Sequence, residues 1–327
     1  AYENYREMID REALDCVHIC TPNSTHYEIA MYALEKGVNV VCEKPLAVSA
    51  AEGEAMRDKA REKGLVHAVN FNCRFYPLVY QMKEMIASGG VGTVYTVHGG
   101  YLQDWLYFDT DYSWRLEPEV SGMSRAFADI GSHWLDLVHF ITGLKVTEVL
   151  ADFEIFHKTR KKPLKPIDTY SGMALRPEDY REVPITTEDY AAVLFHFDSG
   201  ARGCCNISQV FAGRKNQMVV AVGGSTCALH WDSEHSNALW IGRRDGENGE
   251  LVKDPSILAG ETGKITGYPG GHVEGFPDTF KQNFRKIYYA IGGGPAKDFA
   301  TFDDGLREMV LCDKIVESAT ERRWVSV

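Results

Sequence analysis

Residues 15–45, DCVHICTPNSTHYEIAMYALEKGVNVVCEKP, contain two short apolar runs with an amphipathic segment between them. The first run, residues 15–21, is suited to a buried β-strand, and so is the second, residues 38–42. Between them, Thr25 and Glu28 have the spacing of a helix-capping box, and apolar residues follow at helical period. A strand, a helix and a strand of these lengths predict a parallel pair joined by a right-handed crossover.

The same alternation continues beyond this unit. A second helix is predicted from Ser49, where Glu52 again has capping-box spacing, to Gly64. A third strand is predicted over residues 65–71. We therefore expect an α/β domain with three parallel strands in residues 1–73.

Two polar loops follow the first two predicted strands. They are Thr21-Pro22-Asn23 and Glu43-Lys44-Pro45. Ligands of parallel sheets bind at the edge formed by the carboxyl ends of the strands. We therefore expect the two loops to lie side by side and Lys44 to point toward a ligand.

Beyond Arg74 the pattern changes to alternating strands with hairpin-turn signals such as Asp198-Ser199-Gly200. It predicts an α+β second domain, residues 74–327, built on an antiparallel sheet. Its strands are expected at residues 94–103, 145–156, 189–197, 201–211, 217–222, 226–231 and 238–242. Its helices are expected at residues 77–88, 129–142, 273–291 and 304–321.

Two segments of the second domain allow more than one interpretation. Residues 158–187 are interpreted as a surface excursion, with an anion-binding role for the basic cluster Arg160-Lys161-Lys162 as the alternative. An aromatic stretch between the domains is either a stacking platform for carbohydrate or ordinary core. Its members are Tyr101, Trp105, Tyr107, Phe108, Tyr112 and Trp114.

The composition limits the class of protein. The chain has 327 residues, 44% of them hydrophobic and 25% charged, which leaves room for two globular domains. A formal net charge of -11 argues against nucleic acid or an anionic membrane as partner. No apolar run approaches the roughly 18 residues that a membrane helix needs. Eight cysteines without a C-x-x-C pair suit the reducing cytoplasm, which is the expected location.

Asp129, His133 and Asp136 are spaced i, i+4 and i+7, which places them on one stripe of an α-helix. A carboxylate one turn from an imidazole can orient it and raise its basicity, as general acid–base catalysis requires. A satisfied polar seam on an apolar helix is the alternative. A metal site of His133, Asp136 and His139 is disfavoured because i, i+3, i+6 spacing spreads the three around the helix, so no metal is expected.

Several of these segments together resemble the Gfo/Idh/MocA oxidoreductases, named for glucose-fructose oxidoreductase, inositol dehydrogenase and a rhizopine-catabolism protein. The resemblance implies a Rossmann-like α/β domain, N-terminally incomplete, followed by an α+β domain with a large open-faced antiparallel sheet. It also implies NAD(H) or NADP(H) in the cleft between the domains and assembly into a homo-oligomer, a dimer or tetramer. The matching segments are Thr21-Pro22-Asn23 with His26, Glu43-Lys44-Pro45, Asn72 through Arg74-Phe75 with Pro77, Trp114-Arg115, and Asp129-x-Gly131-x-His133-x-x-Asp136.

Carried over by position, the resemblance implies the residues of the site. Lys44, Asp129 and His133 match the catalytic lysine, aspartate and histidine of the family. His133 would take the proton of a secondary hydroxyl on a sugar, glycoside or cyclitol, Asp129 would orient it, and Lys44 would stabilise the substrate oxygen. Substrate contacts are implied for Lys44, Trp114, Arg115, Asp129, His133 and His272, although loop flexibility is an equal interpretation of the glycines around His272. Cofactor contacts are implied for Thr21, Pro22, Asn23, His26, Glu43, Lys44 and Arg74.

One feature of the family is absent from the sequence, the G-x-G-x-x-G turn that admits a dinucleotide pyrophosphate. Either the chain lacks its natural N-terminus or it is a degenerate member that holds no dinucleotide. The first explanation is favoured because the downstream catalytic set is intact, and the choice between NAD and NADP stays open. Two rival functions are an NAD-dependent glycosidase of the same family and a non-catalytic sugar or nucleotide sensor.

Overall fold

A three-stranded parallel sheet flanked by helices forms the N-terminal part of the computed structural model, which describes residues 1–164 and 177–327. In chain order its elements are α1 (Tyr5–Arg11), β1 (Cys16–Ile19), α2 (His26–Glu35), β2 (Asn39–Cys42), α3 (Ala50–Lys63) and β3 (His67–Val69). Strand β2 lies between β1 and β3, and both pairs are parallel. The predicted order of strands and helices is confirmed.

Local capping explains where α3 begins and ends. Ser49 Oγ accepts a hydrogen bond from the Glu52 backbone N–H (3.3 Å), and Gly64 takes the left-handed conformation (φ 64°) that L side chains disfavour. The capping box predicted at Thr25 is wrong. Thr25 belongs to a 3₁₀ turn before α2, and its Oγ1 donates to Pro22 O (2.8 Å), which closes the loop after β1 instead.

The remainder of the chain forms a large sheet with helices on one face. Its helices are α4 (Pro77–Ala87), α5 (Pro118–Ser121), α6 (Ser132–Thr142), α7 (Gly260–Ile265), α8 (Phe276–Ile291) and α9 (Phe302–Glu321). Its strands are β4 (Val94–Leu102), β5 (Val146–Glu154), β6 (Thr159–Pro163), β7 (Tyr180–Pro184), β8 (Tyr190–Phe197), β9 (Arg202–Ser208), β10 (Gln217–Gly224), β11 (Ala228–Asp232), β12 (Ala238–Gly242), β13 (Gly249–Val252) and β14 (Val325–Ser326).

Nine of these strands form one sheet in the order β13-β12-β11-β10-β4-β9-β8-β5-β14. All seven predicted strands of the domain are present in it. The prediction of a wholly antiparallel sheet is wrong at its centre, where β4 and β9 are parallel. Hairpin turns join antiparallel neighbours, but β9 reaches β4 only after a long connection through α5, α6, β5 and β8, which allows parallel pairing.

One face of the large sheet carries the main apolar core. Trp134 of α6 is fully buried against it, and its Nε1 donates to the backbone oxygen of Val219 on β10 (2.9 Å). Helix α9 then joins this core to the first sheet, since Val69 N donates to Ala300 O (2.9 Å) just before α9 begins. The two sheets are thus held together at the side where β1, β2 and β3 end.

The other face of the large sheet is solvent-facing and carries a row of directly opposed residues. The strand registers pair Leu150 with Leu194, Leu194 with Cys204, and so on across seven strands. The row consists of Leu150, Leu194, Cys204, His98, Ala221, His230 and Trp240. Leu194 and Trp240 are 46% and 41% exposed, so the row includes large apolar side chains in contact with water.

The segment predicted as a surface excursion forms a two-stranded ribbon, β6 paired with β7, on either side of residues 165–176, which lie outside the described residues. The basic cluster is neutralised one residue at a time. Arg160 is buried against Asp189, Lys161 pairs with Asp109 (2.8 Å), and Lys162 with Glu117 (2.5 Å). These pairs do not favour the anion-binding alternative.

Within the described parts of the chain, no helix has both the length and the apolar character needed to cross a membrane. All eight cysteines lie in those parts and are free thiols. A cytoplasmic location stays a prediction, as does the domain boundary between residues 73 and 74.

Candidate active site

Lys44 and Asp129 meet where the two domains face each other. Lys44 stands in the loop after β2, and its peptide bond to Pro45 is cis. Its Nζ donates to both Oδ1 and the backbone oxygen of Asp129, each at 2.6 Å. Both side chains are only 13% exposed, so water competes weakly with this ion pair.

The expectation that the loops after β1 and β2 lie side by side is confirmed. The buried ring of His26 bridges them, with Nε2 2.9 Å from Thr21 O and Nδ1 3.0 Å from Pro45 O. Asn23 Nδ2 donates to Ser121 O (3.1 Å), which joins the first loop to the second domain. The strand ends therefore form one continuous edge with Lys44 on it.

Asp129 lies in a π-helical turn, Phe127–Gly131, that precedes α6. Burial would raise the pKa of its carboxyl, but the neighbouring Lys44 and Arg115 cations outweigh burial and hold that pKa at about 2. The Arg115 Nε is 3.5 Å from Asp129 Oδ1, and Gln209 Nε2 donates to Asp129 Oδ2 (2.9 Å). The carboxylate is therefore ionised and surrounded by donors.

His133 lies in the first turn of α6 and is nearly enclosed. Its ring packs edge-on against Phe71 (5.4 Å between centroids), and Nδ1 is 3.9 Å from Cys73 Sγ. Burial lowers the pKa of the imidazole to about 3, with a further lowering by Lys44 and partial opposition from Asp129. The imidazole is therefore neutral at physiological pH and free to accept a proton.

In the predicted stripe of Asp129, His133 and Asp136, the third member is engaged by another residue. Asp136 is buried and pairs with Arg74, whose Nε donates to Oδ2 at 2.8 Å while Nη2 contacts Oδ1. The π-helical turn also places Asp129 outside the regular α-helical spacing on which the stripe was based. Asp136 thus holds Arg74 in place and does not face Lys44.

Five of the predicted site residues line one small cavity. They are Asn23, Lys44, Trp114, Arg115 and Asp129. Of the residues that the structure describes, His133 and His272 are not part of this lining. The Arg115 guanidinium lies over the Trp114 ring (4.5 Å to the centroid), so an aromatic face and a cation stand together beside the ion pair.

Comparison with known proteins identifies the family. Residues 1–71 match the model of the oxidoreductase family with an NAD-binding Rossmann fold, and residues 79–229 match the GFO/IDH/MocA C-terminal domain. The chain is 30% identical to levoglucosan dehydrogenase of Pseudarthrobacter phenanthrenivorans over an alignment that covers 99% of this chain and 83% of that protein. The chain belongs to the Gfo/Idh/MocA family.

Solved structures agree with this membership in the family. An oxidoreductase domain protein from Kribbella flavida is 33% identical with a TM-score of 0.87, covering 99% of this chain and 83% of that one. A levoglucosan dehydrogenase solved with NADH and L-sorbose is 27% identical with a TM-score of 0.88, covering 100% of this chain and 83% of that one. The Rossmann domain and the large second-domain sheet are those of Gfo/Idh/MocA proteins, and the protein is an NAD(P)-dependent oxidoreductase.

The donor set at the strand ends fits the nicotinamide end of the dinucleotide that Gfo/Idh/MocA proteins use. Thr21 and Pro22 are exposed on this edge, and His26 joins their loop to the loop that carries Lys44. One carboxylate oxygen of Glu43 is engaged within the protein, because Oε1 accepts from Asn70 Nδ2 (2.5 Å). The use of NAD or NADP is confirmed by the family model over residues 1–71, whereas the seven individual cofactor contacts stay predictions.

Two predicted residues lie apart from the Lys44–Asp129 pair. Arg74 is committed to Asp136 as described, so its guanidinium is engaged within the protein. His272 is exposed, and its Nδ1 lies 3.4 Å from Gly270 O. The buried ion pair between Lys253 Nζ and Glu274 Oε2 (2.9 Å) holds the base of the loop that carries His272. Contacts of Arg74 with cofactor and of His272 with substrate stay predictions.

The aromatic stretch contains both buried side chains, as expected of core, and exposed ones, as a stacking platform for carbohydrate requires. Tyr101 is buried in the core, whereas Trp105, Tyr107 and Phe108 are exposed (38%, 43% and 63%). Arg160 fixes the loop that carries them, since its guanidinium donates to the backbone oxygens of Leu106 (2.7 Å) and Phe108 (2.8 Å).

Sequence reasoning missed Gln209 and Arg125. Gln209 is 80 residues from Asp129 in the chain, and the pattern around it indicates only a strand. Arg125 is four residues before Asp129 and is buried, with its Nη1 donating to Gln209 Oε1 (3.1 Å). The only sign in the sequence is an arginine beside an apolar run. Arginine is seldom buried without a partner, so this position weakly indicates a buried polar contact.

The metal alternative receives no support from the geometry. His139 Nδ1 is 2.9 Å from Glu308 Oε1, and Asp136 is paired with Arg74, so both are turned away from His133. Within residues 1–164 and 177–327, no group of three or more histidine, cysteine or acidic side chains is arranged to hold a metal ion.

Proposed function

We propose that this protein oxidises a secondary hydroxyl of a sugar, glycoside or cyclitol, with Lys44, Asp129 and His133 as its catalytic residues. The observation that carries the proposal is the buried Lys44–Asp129 ion pair, formed between the two domains at the carboxyl edge of the Rossmann strands. In a parallel α/β sheet this edge is where ligands bind. Bound NAD(P)+ supplies the hydride acceptor.

The chain's own residues divide the remaining work. His133 is neutral because burial holds its pKa at about 3, so it can accept the hydroxyl proton. An imidazole with so low a pKa is a weak base, however, and the substrate oxygen must be made more acidic to match it. Lys44 meets this need by donating a hydrogen bond to that oxygen and stabilising its alkoxide character. Asp129 keeps Lys44 oriented for the role.

The substrate class is supported by the lining of the site and by a relative. The cavity beside the ion pair combines the Trp114 ring and the Arg115 guanidinium. Aromatic rings pack against the C–H faces of sugars, while guanidinium groups bond their oxygens. A relative at 30% identity is named levoglucosan dehydrogenase. We therefore propose a ring hydroxyl of a pyranose, including anhydro forms, as the reacting group.

The proposal is tested by NAD(P)H formation at 340 nm with a panel of pyranosides, anhydrosugars and inositols, using wild type, Lys44→Met and Lys83→Met. Lys83 is the matched control, since it also pairs with a buried aspartate, Asp298 (2.7 Å), but on α4. We expect wild type and Lys83→Met to be active and Lys44→Met to lose at least about a hundredfold in kcat. Undiminished turnover by Lys44→Met would contradict the proposed mechanism.

The same assay separates the rival functions. A glycosidase that uses NAD catalytically would cleave a nitrophenyl glycoside with no net gain of absorbance at 340 nm. A sensor would bind sugar or nucleotide without converting either.

A further inference from the structure

We propose that Gln209 is a positioning residue for this reaction, whose side-chain amide holds Asp129 in the orientation that presents Oδ1 to Lys44. The inference rests on the function proposed above and adds a residue to it. Gln209 follows β9 directly and is 1% exposed.

The orientation of the Gln209 amide is determined by its two neighbours. Its Oε1 accepts from Arg125 Nη1 (3.1 Å), and its Nε2 donates to Asp129 Oδ2 (2.9 Å). A guanidinium only donates hydrogen bonds, and a carboxylate only accepts them. The reverse orientation would set donor against donor and acceptor against acceptor, so a single arrangement satisfies both contacts.

The amide is mounted on a rigid base. The backbone N–H of Gln209 donates to Asp189 O (3.1 Å), and its backbone oxygen accepts from Leu106 N (3.1 Å). Arg125 is held in turn by the buried carboxylate of Asp189, which also accepts from Arg160 Nη2 (2.9 Å). A side chain fixed at both ends in this way can set the position of a reacting group to within a fraction of an ångström.

As a consequence, the two oxygens of the Asp129 carboxylate have different partners. Oδ2 is taken by Gln209, which leaves Oδ1 for Lys44 at 2.6 Å. Without the amide, Oδ2 would be left without this donor in a mostly buried place, and the carboxylate would be free to rotate about its Cβ–Cγ bond. Lys44 would then lose the fixed direction in which it meets substrate.

Replacing the amide by a carboxyl group gives a pH-dependent signature. Protonated, the side chain in Gln209→Glu donates to Asp129 as the amide does; ionised, it sets a second negative charge against Asp129. Activity should therefore be retained at acid pH and fall as pH rises through the apparent pKa of the coupled pair. The other titratable groups that face Asp129 are Lys44, Arg115, His133 and Tyr101, with Arg125 behind the amide.

The experiment compares kcat and KM from pH 5 to 9 for wild type, Gln209→Glu, Gln209→Met and Gln103→Glu. Gln103 is the matched control because it is also 1% exposed and donates to Asn216 Oδ1 (2.7 Å) instead of Asp129. For Gln209→Met we expect about a 10–100-fold loss of kcat at every pH, with KM for the dinucleotide unchanged. For Gln209→Glu we expect the loss to grow with pH. If Gln209→Glu keeps the pH profile of Gln103→Glu, the proposal is overturned.

A measurement without substrate separates this proposal from the proposed function. In protein labelled with carboxyl-¹³C aspartate, Asp129 is assigned by its loss in Asp129→Asn and titrated by NMR. Gln209→Met, which removes a donor to the ionised carboxylate, should raise the apparent midpoint of Asp129, and Gln103→Met should leave it unchanged. A wild type that oxidises no polyol, together with this shift, would support the positioning of Asp129 and overturn only the proposed function. An unshifted Asp129 would overturn the positioning itself.

Discussion

Lys44 Nζ lies 2.6 Å from both the backbone oxygen and the Oδ1 of Asp129, a residue 85 positions later in the chain. Lys44 belongs to the loop after β2, and Asp129 belongs to the π-helical turn before α6. This ion pair joins the two domains at the place where we propose that the reaction occurs.

Removing the charge of Lys44 should raise the pKa of His133. That pKa is about 3 because of burial first and the nearby ammonium second, while Asp129 acts in the opposite direction. In Lys44→Met the ammonium is gone and Asp129 remains, so the imidazole should protonate at a higher pH. NMR titration of the ring, assigned with His133→Asn, checks this. Lys83→Met should leave the titration as in wild type, and an unmoved midpoint in Lys44→Met would show that the two groups are not coupled.

His133 should make the protein less stable as pH falls from 7 to 5. An unfolded histidine protonates near pH 6.5, whereas the folded imidazole stays neutral down to about pH 3. Below pH 6.5 the unfolded state therefore binds the extra proton and gains stability, by about 2 kcal/mol at pH 5. Urea unfolding at pH 7 and pH 5 gives the loss of unfolding free energy between the two pH values. This loss should be smaller in His133→Asn than in wild type by about 2 kcal/mol. An equal pH dependence in both proteins would place the histidine in contact with water.

Breaking the Arg74–Asp136 pair should cost stability more than cofactor affinity. Arg74→Met would leave the Asp136 carboxylate buried without its partner, a change that costs about 3–5 kcal/mol. The control is Arg61→Met, which removes an exposed pair with Asp303 and should cost no more than about 1 kcal/mol. Urea unfolding gives both values. A loss of NAD(P)H affinity in Arg74→Met at unchanged stability would instead support the cofactor contact predicted for Arg74.

The row of directly opposed residues on the open sheet face should form the contact of the predicted homo-oligomer. Leu194 of this row is 46% exposed, and a charge there would oppose burial against a second copy. We expect Leu194→Asp to lower the molar mass measured by light scattering to that of one chain, 36.7 kDa. The control Ile257→Asp introduces the same charge at an exposed position outside the sheet. Equal masses for wild type and Leu194→Asp would exclude this face as the interface.

The first domain was predictable from sequence because its signals are local. The apolar runs, the Ser49 cap and Gly64 each act within a few residues, and the strand-end rule then placed Lys44 at the edge of the sheet, where it lines a cavity. The Thr25 cap failed because a 3₁₀ turn competes for the same hydroxyl. Local patterns do not show which of two such arrangements will form.

The site itself was only partly predictable, since several of its contacts join distant parts of the chain. Regular helical spacing grouped Asp136 with Asp129 and His133, but a π-helical turn and the pairing with Arg74 separate them. Gln209 carries no local sign of its contact with Asp129. The parallel pairing of β4 with β9 was missed for a similar reason, because strand order depends on the long connection between them.

The proposed roles of Lys44 and His133 are tested most directly by a crystal structure of the protein with NADH and a sugar that it oxidises. We expect one hydroxyl oxygen of the sugar to lie within about 3.2 Å of both Lys44 Nζ and a ring nitrogen of His133. A bound sugar whose reacting oxygen reaches only one of these nitrogens, with the other facing a different part of the molecule, would contradict these roles.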